Sequence, residues 1–158
     1  MSSGKKSLSS VIVLISFLSL FSIARPNAES IAQYLRITCN DRAITTLPMN
    51  YSYGLSVINS HFHKGGGIVL SDDGIVGRDL WKKIADFNVT SMAGVPFLYQ
   101  MLKKLKYKRF NTQGIRYITQ AGGKLDIDSI NYFKDECSKQ GQEFVVMYGQ
   151  TEATARMS

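Results

Sequence analysis

The sequence predicts an α/β fold, a mostly parallel sheet with helices on both faces. Two observations carry this. From residue 43 onward, short β-branched apolar runs alternate with longer segments whose apolar residues recur at helical spacing. Each apolar run also gives way to Gly, Pro or polar residues, as strands do where they hand over to a loop. With 158 residues, 44% of them hydrophobic, the chain has enough apolar surface for one domain with its own core.

The elements follow in order. "AITTL" (43–47) reads as a strand, and "GLSVINSHFHK" (54–64) places Leu55, Ile58 and Phe62 at helical spacing. "GIVL" (67–70) is a short strand, and "RDLWKKIADFN" (78–88) puts Leu80, Trp81, Ile84 and Phe87 on one helix face. "VTSMAGV" (89–95) is a strand ending in Gly and Pro. "PFLYQMLKKL" (96–105) opens a helix with Pro and turns Leu98, Met101, Leu102 and Leu105 inward. "IRYIT" (115–119) is the fourth strand. "DIDSINYFKDECSKQ" (126–140) is a helix with Ile127, Ile130, Phe133 and Cys137 on one face and Gly141 as its stop; "EFVVMY" (143–148) is the fifth strand.

In open parallel sheets, ligands bind outside the carboxyl ends of the strands. The stretches to weigh are therefore "PMNYSYG" (48–54), "SDDG" (71–74), "GVP" (94–96), "QAGGK" (120–124) and "YGQTE" (148–152). Gly122 and Gly123 lack a Cβ and let backbone approach a flat or phosphorylated ligand; they equally suit a tight strand-to-helix turn. In "YGQTE", Tyr148 can stack on a planar group and Gly149 permits close approach. Thr151 offers a hydroxyl to a phosphate or a helix cap, and Glu152 is a hard oxygen ligand suited to Mg²⁺. Tyr51 and Tyr53 line a pocket or form a core edge, and "GVP" with Phe97 shapes the same pocket or only starts a helix.

The remaining polar features point to no second chemistry. The formal net charge is +7, and Lys103, Lys104, Lys106, Lys108 and Arg109 concentrate part of it. No aromatic ladder or nucleic-acid motif accompanies this run, so it reads as a solvated helix end and nucleic acid is not expected as a partner. Cys39 and Cys137 form no CxxC pair, and Cys137 reads as a packed thiol. His61 and His63, two apart, do not share a helix face, which argues against a metal site there. At the N-terminus, Lys5-Lys6 precede the uncharged "VIVLISFLSLFSIA" (11–24), short for a membrane span but similar to a secretory signal core ending at Ala24.

Taken together, "GVPFLYQML", "IRYITQAGGKL" and "FVVMYGQTEATARMS", in that order, resemble the AMP-forming adenylate-forming superfamily of acyl-CoA synthetases, amino-acid and aryl adenylating enzymes and luciferases. The similarity runs over 27–158 and implies part of the large N-terminal domain of such an enzyme, with 1–26 as a separate apolar segment. It implies a reaction in which a carboxylate and ATP give an acyl-adenylate and pyrophosphate, with CoA or a carrier-protein phosphopantetheine as the acceptor. By the same resemblance Gly122, Gly123, Tyr148 and Gly149 contact ATP or AMP. Thr151 touches the α-phosphate, Glu152 holds Mg²⁺, and Tyr51, Gly94, Val95 and Pro96 wall the carboxylate pocket.

The chain also departs from the family. "SSGKKSLSS" stands where the family has a Ser/Thr/Gly-rich loop ending in Pro-Lys-Gly. The chain is therefore expected to be a fragment, inactive alone, with the coding DNA upstream of about residue 26 read in a shifted frame. An ATP-using site is expected in the cytoplasm. The competing expectations are export or membrane association through residues 11–24, and a non-catalytic α/β binding protein.

Overall fold

The computed structural model describes residues 26–150 and 154–157. Helix α1 covers 26–34. It is followed by β1 (Arg42–Ile44), α2 (Ser52–His63), β2 (Gly67–Val69), α3 (Arg78–Asp86), β3 (Ser91–Gly94) and α4 (Pro96–Lys104). A 3-10 turn (Tyr107–Arg109) leads to β4 (Tyr117–Gln120), α5 (Ile127–Lys139) and β5 (Glu143–Val146). A short hairpin of β6 (Tyr148–Gln150) and β7 (Thr154–Met157) ends the described chain.

Five strands form one parallel sheet in the order β2-β1-β3-β4-β5. The chain steps from β1 to β2 in one direction, then passes back over β1 to β3 and continues to β5. Right-handed crossovers turn that reversal into helices on opposite faces. Side chains alternate accordingly. Ile44, Met92, Ile118 and Phe144 pack with Leu80, Trp81 and Ile84 of α3, Leu98, Tyr99 and Leu102 of α4, and Phe133 and Cys137 of α5. Their strand neighbours Ala43, Ala93 and Tyr117 face the other way, against Ile31 and Ala32 of α1, Leu35 just past its end, and Tyr53 and Val57 of α2. Helices on both faces of a parallel sheet are what the alternation predicted.

Phe133 organises the first core, with the rings of Tyr99 and Tyr132 at 5.1 Å, Phe144 at 5.4 Å and Tyr107 at 5.6 Å. Cap chemistry matches the sequence: Pro96 opens α4, and the Asp126 carboxylate accepts from the Ser129 N–H at the start of α5.

The helix faces differ from expectation in four helices. In α2, Leu55 and Phe62 are exposed, and the buried face is Tyr53, Gly54, Ser56, Val57, Ser60 and His61. That face is satisfied internally. Ser56 donates to the Tyr53 carbonyl and Ser60 to the Val57 carbonyl. His61 Nδ1 donates to the Val57 carbonyl at 2.8 Å, which leaves Nε2 to accept from Ser91 at 3.2 Å and Tyr117 at 3.3 Å. Small and hydrogen-bonded residues let α2 lie close on the sheet, and the apolar stripe is displaced outward. Phe87 and Ile127 are also exposed, because they sit at a helix end and a helix start, past the part of each helix that covers the sheet. Met101 and Leu105 are only half-buried; Tyr99 takes the central place in α4. The fifth strand stops at Val146, and Tyr148 belongs to the hairpin.

Lys104, Lys106, Lys108 and Arg109 are exposed at the end of α4 and in the turn after it, as a solvated helix end requires. Lys103 lies over the Tyr132 ring and donates to Ser129. Among the described residues, no helix is long and apolar enough to cross a membrane.

Candidate functional site

The strand order reverses between β1 and β3, and in such sheets the crevice opens there, at the carboxyl ends. The loop after β4 is the best-defined part of that end. Gly122 and Gly123 take φ of +77° and +151°, conformations that L side chains avoid. Backbone ladders continue past the strands to hold this loop. Ala121 donates to the Gly94 carbonyl and Met147 to the Gln120 carbonyl, at 3.2 and 2.8 Å. The buried Gln120 side chain closes the turn, donating from Nε2 to the Gly123 carbonyl at 2.9 Å.

Three neighbours pack against the glycines. A Cβ built on Gly122 would stand 2.6 Å from the Tyr51 hydroxyl oxygen and 3.1 Å from Val95 Cγ1. One built on Gly123 would stand 3.2 Å from Pro96 Cγ. The structure thus brings Tyr51, Val95, Pro96, Gly122 and Gly123 together from three loops far apart in sequence. Gly94 has another neighbourhood. The space its side chain would fill is taken by Leu98 and Tyr99 of α4, at 2.9 and 3.0 Å, so its missing Cβ serves helix packing. Phe97, one residue past Pro96, is exposed at the rim.

Tyr148 lies one strand further along, where the chain leaves β5, and is 60% exposed. Gly149 follows it in β6, half-buried. Thr151 and Glu152 lie outside the described residues. Tyr53 is core: its hydroxyl is within hydrogen-bonding distance of the Thr119 hydroxyl at 2.7 Å and donates to the Thr119 carbonyl, which also accepts from Tyr99 across the sheet.

Two positions went unnoticed in the sequence. Gln120 holds the glycine turn; its signal was a polar residue closing an apolar strand directly before "AGG". Gly54 lies under the loop that carries Tyr51. A Cβ there would meet the Pro48 carbonyl oxygen at 2.3 Å, a contact no sequence pattern reveals.

At the opposite end of the sheet, Asp41 is a structural group. It is buried and accepts from the Thr38 N–H and hydroxyl and from Arg116. Burial pushes its pKa up, but hydrogen bonds from Thr38, Thr90 and Arg116 outweigh that and hold it below the ordinary value of 3.8.

A parallel sheet wrapped by helices on both faces, with a glycine turn and aromatic side chains at its carboxyl end, defines an open-sheet α/β domain. The chain belongs to the AMP-binding enzyme family, whose profile matches residues 13–158. Solved structures agree. O-succinylbenzoate coenzyme A synthetase (MenE) from Bacillus subtilis, in complex with ATP and magnesium, is 27% identical with a TM-score of 0.69. The match covers 84% of this chain and 26% of that one. VinN, in complex with L-aspartate, is 26% identical with a TM-score of 0.67, over 83% of this chain and 32% of that one. PA1221, a nonribosomal peptide synthetase protein with adenylation and PCP domains bound to a vinylsulfonamide inhibitor, shares the fold at 21% identity and a TM-score of 0.64. That match covers 75% of this chain and 20% of PA1221. The chain therefore spans 20% to 32% of the length of these structures. No curated protein matches it.

Proposed function

We propose that this chain forms the nucleotide- and carboxylate-binding core of an enzyme that activates a carboxylate with ATP. In that reaction a carboxylate oxygen bonds to the α-phosphorus, the bond from that phosphorus to the bridging oxygen breaks, and pyrophosphate leaves with the electron pair. The catalytic demand is positioning and charge neutralisation. The observation that carries the reading is the Gly122–Gly123 turn. It is fixed by Gln120 and walled by Tyr51, Val95 and Pro96, with an exposed tyrosine at the end of the next strand.

Each residue has a task in this reading. The Gly122–Gly123 backbone, without side chains, forms a flat floor for adenine and the acyl group. Tyr148 stacks on adenine, and Gly149 lets the phosphates approach. Thr151 donates to the α-phosphate, and Glu152 holds Mg²⁺. When bound, Mg²⁺ neutralises negative charge on the phosphates. Val95 and Pro96 wall the carboxylate side. CoA or a carrier-protein phosphopantetheine accepts the acyl group, and ATP dependence places the protein in the cytoplasm.

Calorimetric titration of the full chain with AMP tests the core reading. Tyr148→Ala removes the stacking ring and is expected to weaken AMP by roughly tenfold, the scale of base–aromatic stacking. An unchanged affinity overturns the role of Tyr148, and no AMP binding by the wild type overturns the reading. Pyrophosphate exchange into ATP separates turnover from binding.

A further inference from the structure

Gln120 is the last residue of β4, the strand between β3 and β5, and it is 1% exposed. An amide inside a core is unfavourable unless its polar atoms are paired. Both N–H bonds of this one go to a single feature. Nε2 donates to the Gly123 carbonyl at 2.9 Å and to the Ala121 carbonyl at 3.3 Å. Among the described residues, no other side chain hydrogen-bonds the stretch from Ala121 to Lys124.

That stretch needs a fixed shape and has few other means to keep it. The backbone ladder with β3 ends at Ala121, which donates to the Gly94 carbonyl. Gly122 and Gly123 follow at the surface, and glycine has more backbone states to lose than any other residue. Beyond the ladder, the orientation of these two peptides rests on the Gln120 amide.

We propose that Gln120 is a positioning residue for the nucleotide: its amide holds the Gly122–Gly123 turn in one shape in the free protein, so that adenine meets a floor already in place. This rests on the carboxylate-activating reading above. By strand alternation the Gln120 side chain leaves β4 on the side of Ile118, toward α4 and α5, so it acts through the turn. A turn that is not held must be ordered when the ligand arrives, and that ordering is subtracted from the affinity.

Two substitutions separate positioning from a merely structural role. Gln120→Met keeps an unbranched side chain and removes both donors. Gln120→Glu keeps the shape and makes the donor depend on pH. The ionised carboxylate only accepts, and it repels the carbonyls of Ala121 and Gly123; the protonated acid donates one hydrogen bond. Burial raises the pKa of such a carboxyl, so the acid form gives way as pH rises through the neutral range.

The test titrates the full chain with AMP by calorimetry, with circular dichroism and urea unfolding alongside. Gln120→Met is expected to weaken AMP roughly tenfold, the scale of one or two net hydrogen bonds. For Gln120→Glu, the association constant relative to wild type is read from about pH 5.5 to about pH 8.5, a ratio that cancels titration of the phosphate itself. It is expected to approach about one at the acid end and to fall to about one tenth at the alkaline end. Unchanged AMP affinity in Gln120→Met, with or without a lowered urea midpoint, overturns the proposal and leaves the nucleotide reading standing. So does a Gln120→Glu ratio that is the same at both ends. If the wild type does not bind AMP, both fall. Where only one variant folds, that one decides; if neither folds, Gln120 is required for the fold and the positioning role is overturned.

Discussion

Gly54→Ala is the substitution for which helix propensity and tertiary structure disagree in sign. Gly54 lies in the first turn of α2. Helix propensity alone favours Ala over Gly by up to about 1 kcal/mol. The structure reverses this. The new Cβ would lie 2.3 Å from the Pro48 carbonyl oxygen and 3.2 Å from its carbon, both backbone atoms. An ordinary carbon–oxygen contact is about 3.3 Å or more, so one side must move by roughly 1 Å. That carbonyl accepts from the Tyr51 N–H at 3.1 Å, so moving it disrupts the turn that carries Tyr51. Overpacking costs about 1–3 kcal/mol and the lost hydrogen bond about 1 kcal/mol. Set against the propensity gain, the net is a destabilisation of about 1–3 kcal/mol. For a chain of this size it lowers the melting midpoint by about 2–12 °C. Urea unfolding followed by circular dichroism measures the free energy directly, with an unchanged slope expected. A variant as stable as the wild type, or more stable, would refute the close packing of α2 on the Pro48 loop.

Two further outcomes follow from the buried polar groups. Cys137 is buried, and burial together with the nearby Glu136 charge pushes its thiol pKa up to about 12, whereas Cys39 is exposed. N-ethylmaleimide is therefore expected to add once to the native chain and twice after denaturation; mass spectrometry of native protein carrying two adducts contradicts the packing of α5. Asp41 has a depressed pKa, so its contribution to stability is fully present above the ordinary carboxylate value of 3.8 and is lost as pH falls through its lower folded value. Asp41→Asn is expected to cost about 2 kcal/mol at pH 7 and to flatten the loss of stability below pH 4. An unchanged acid limb in urea titrations places that loss on other groups.

Much of this protein is determined by the sequence alone. Strand and helix order follow from two periodicities, because a half-buried strand repeats every two residues and a helix every 3.6. The ends of α4 and α5 follow from Pro96 and Asp126, whose backbone and side-chain chemistry act locally. The glycines of the β4 loop and the aromatic at the end of β5 were legible as types, since few residues accept a positive φ or offer a flat exposed ring. Tertiary structure decided what depends on a partner distant in the chain. The sequence placed Leu55 and Phe62 on the conspicuous stripe of α2, yet the sheet beneath selected the face of Ser56, Ser60 and His61, which comes closer and finds Ser91 and Tyr117 there. Gly94 serves α4, and Gly122 meets Tyr51, because each contact joins segments that the parallel topology brings side by side. A local pattern records what a residue can do within its own element. Which neighbour it meets is set by how the elements pack, and that information is spread over the whole chain.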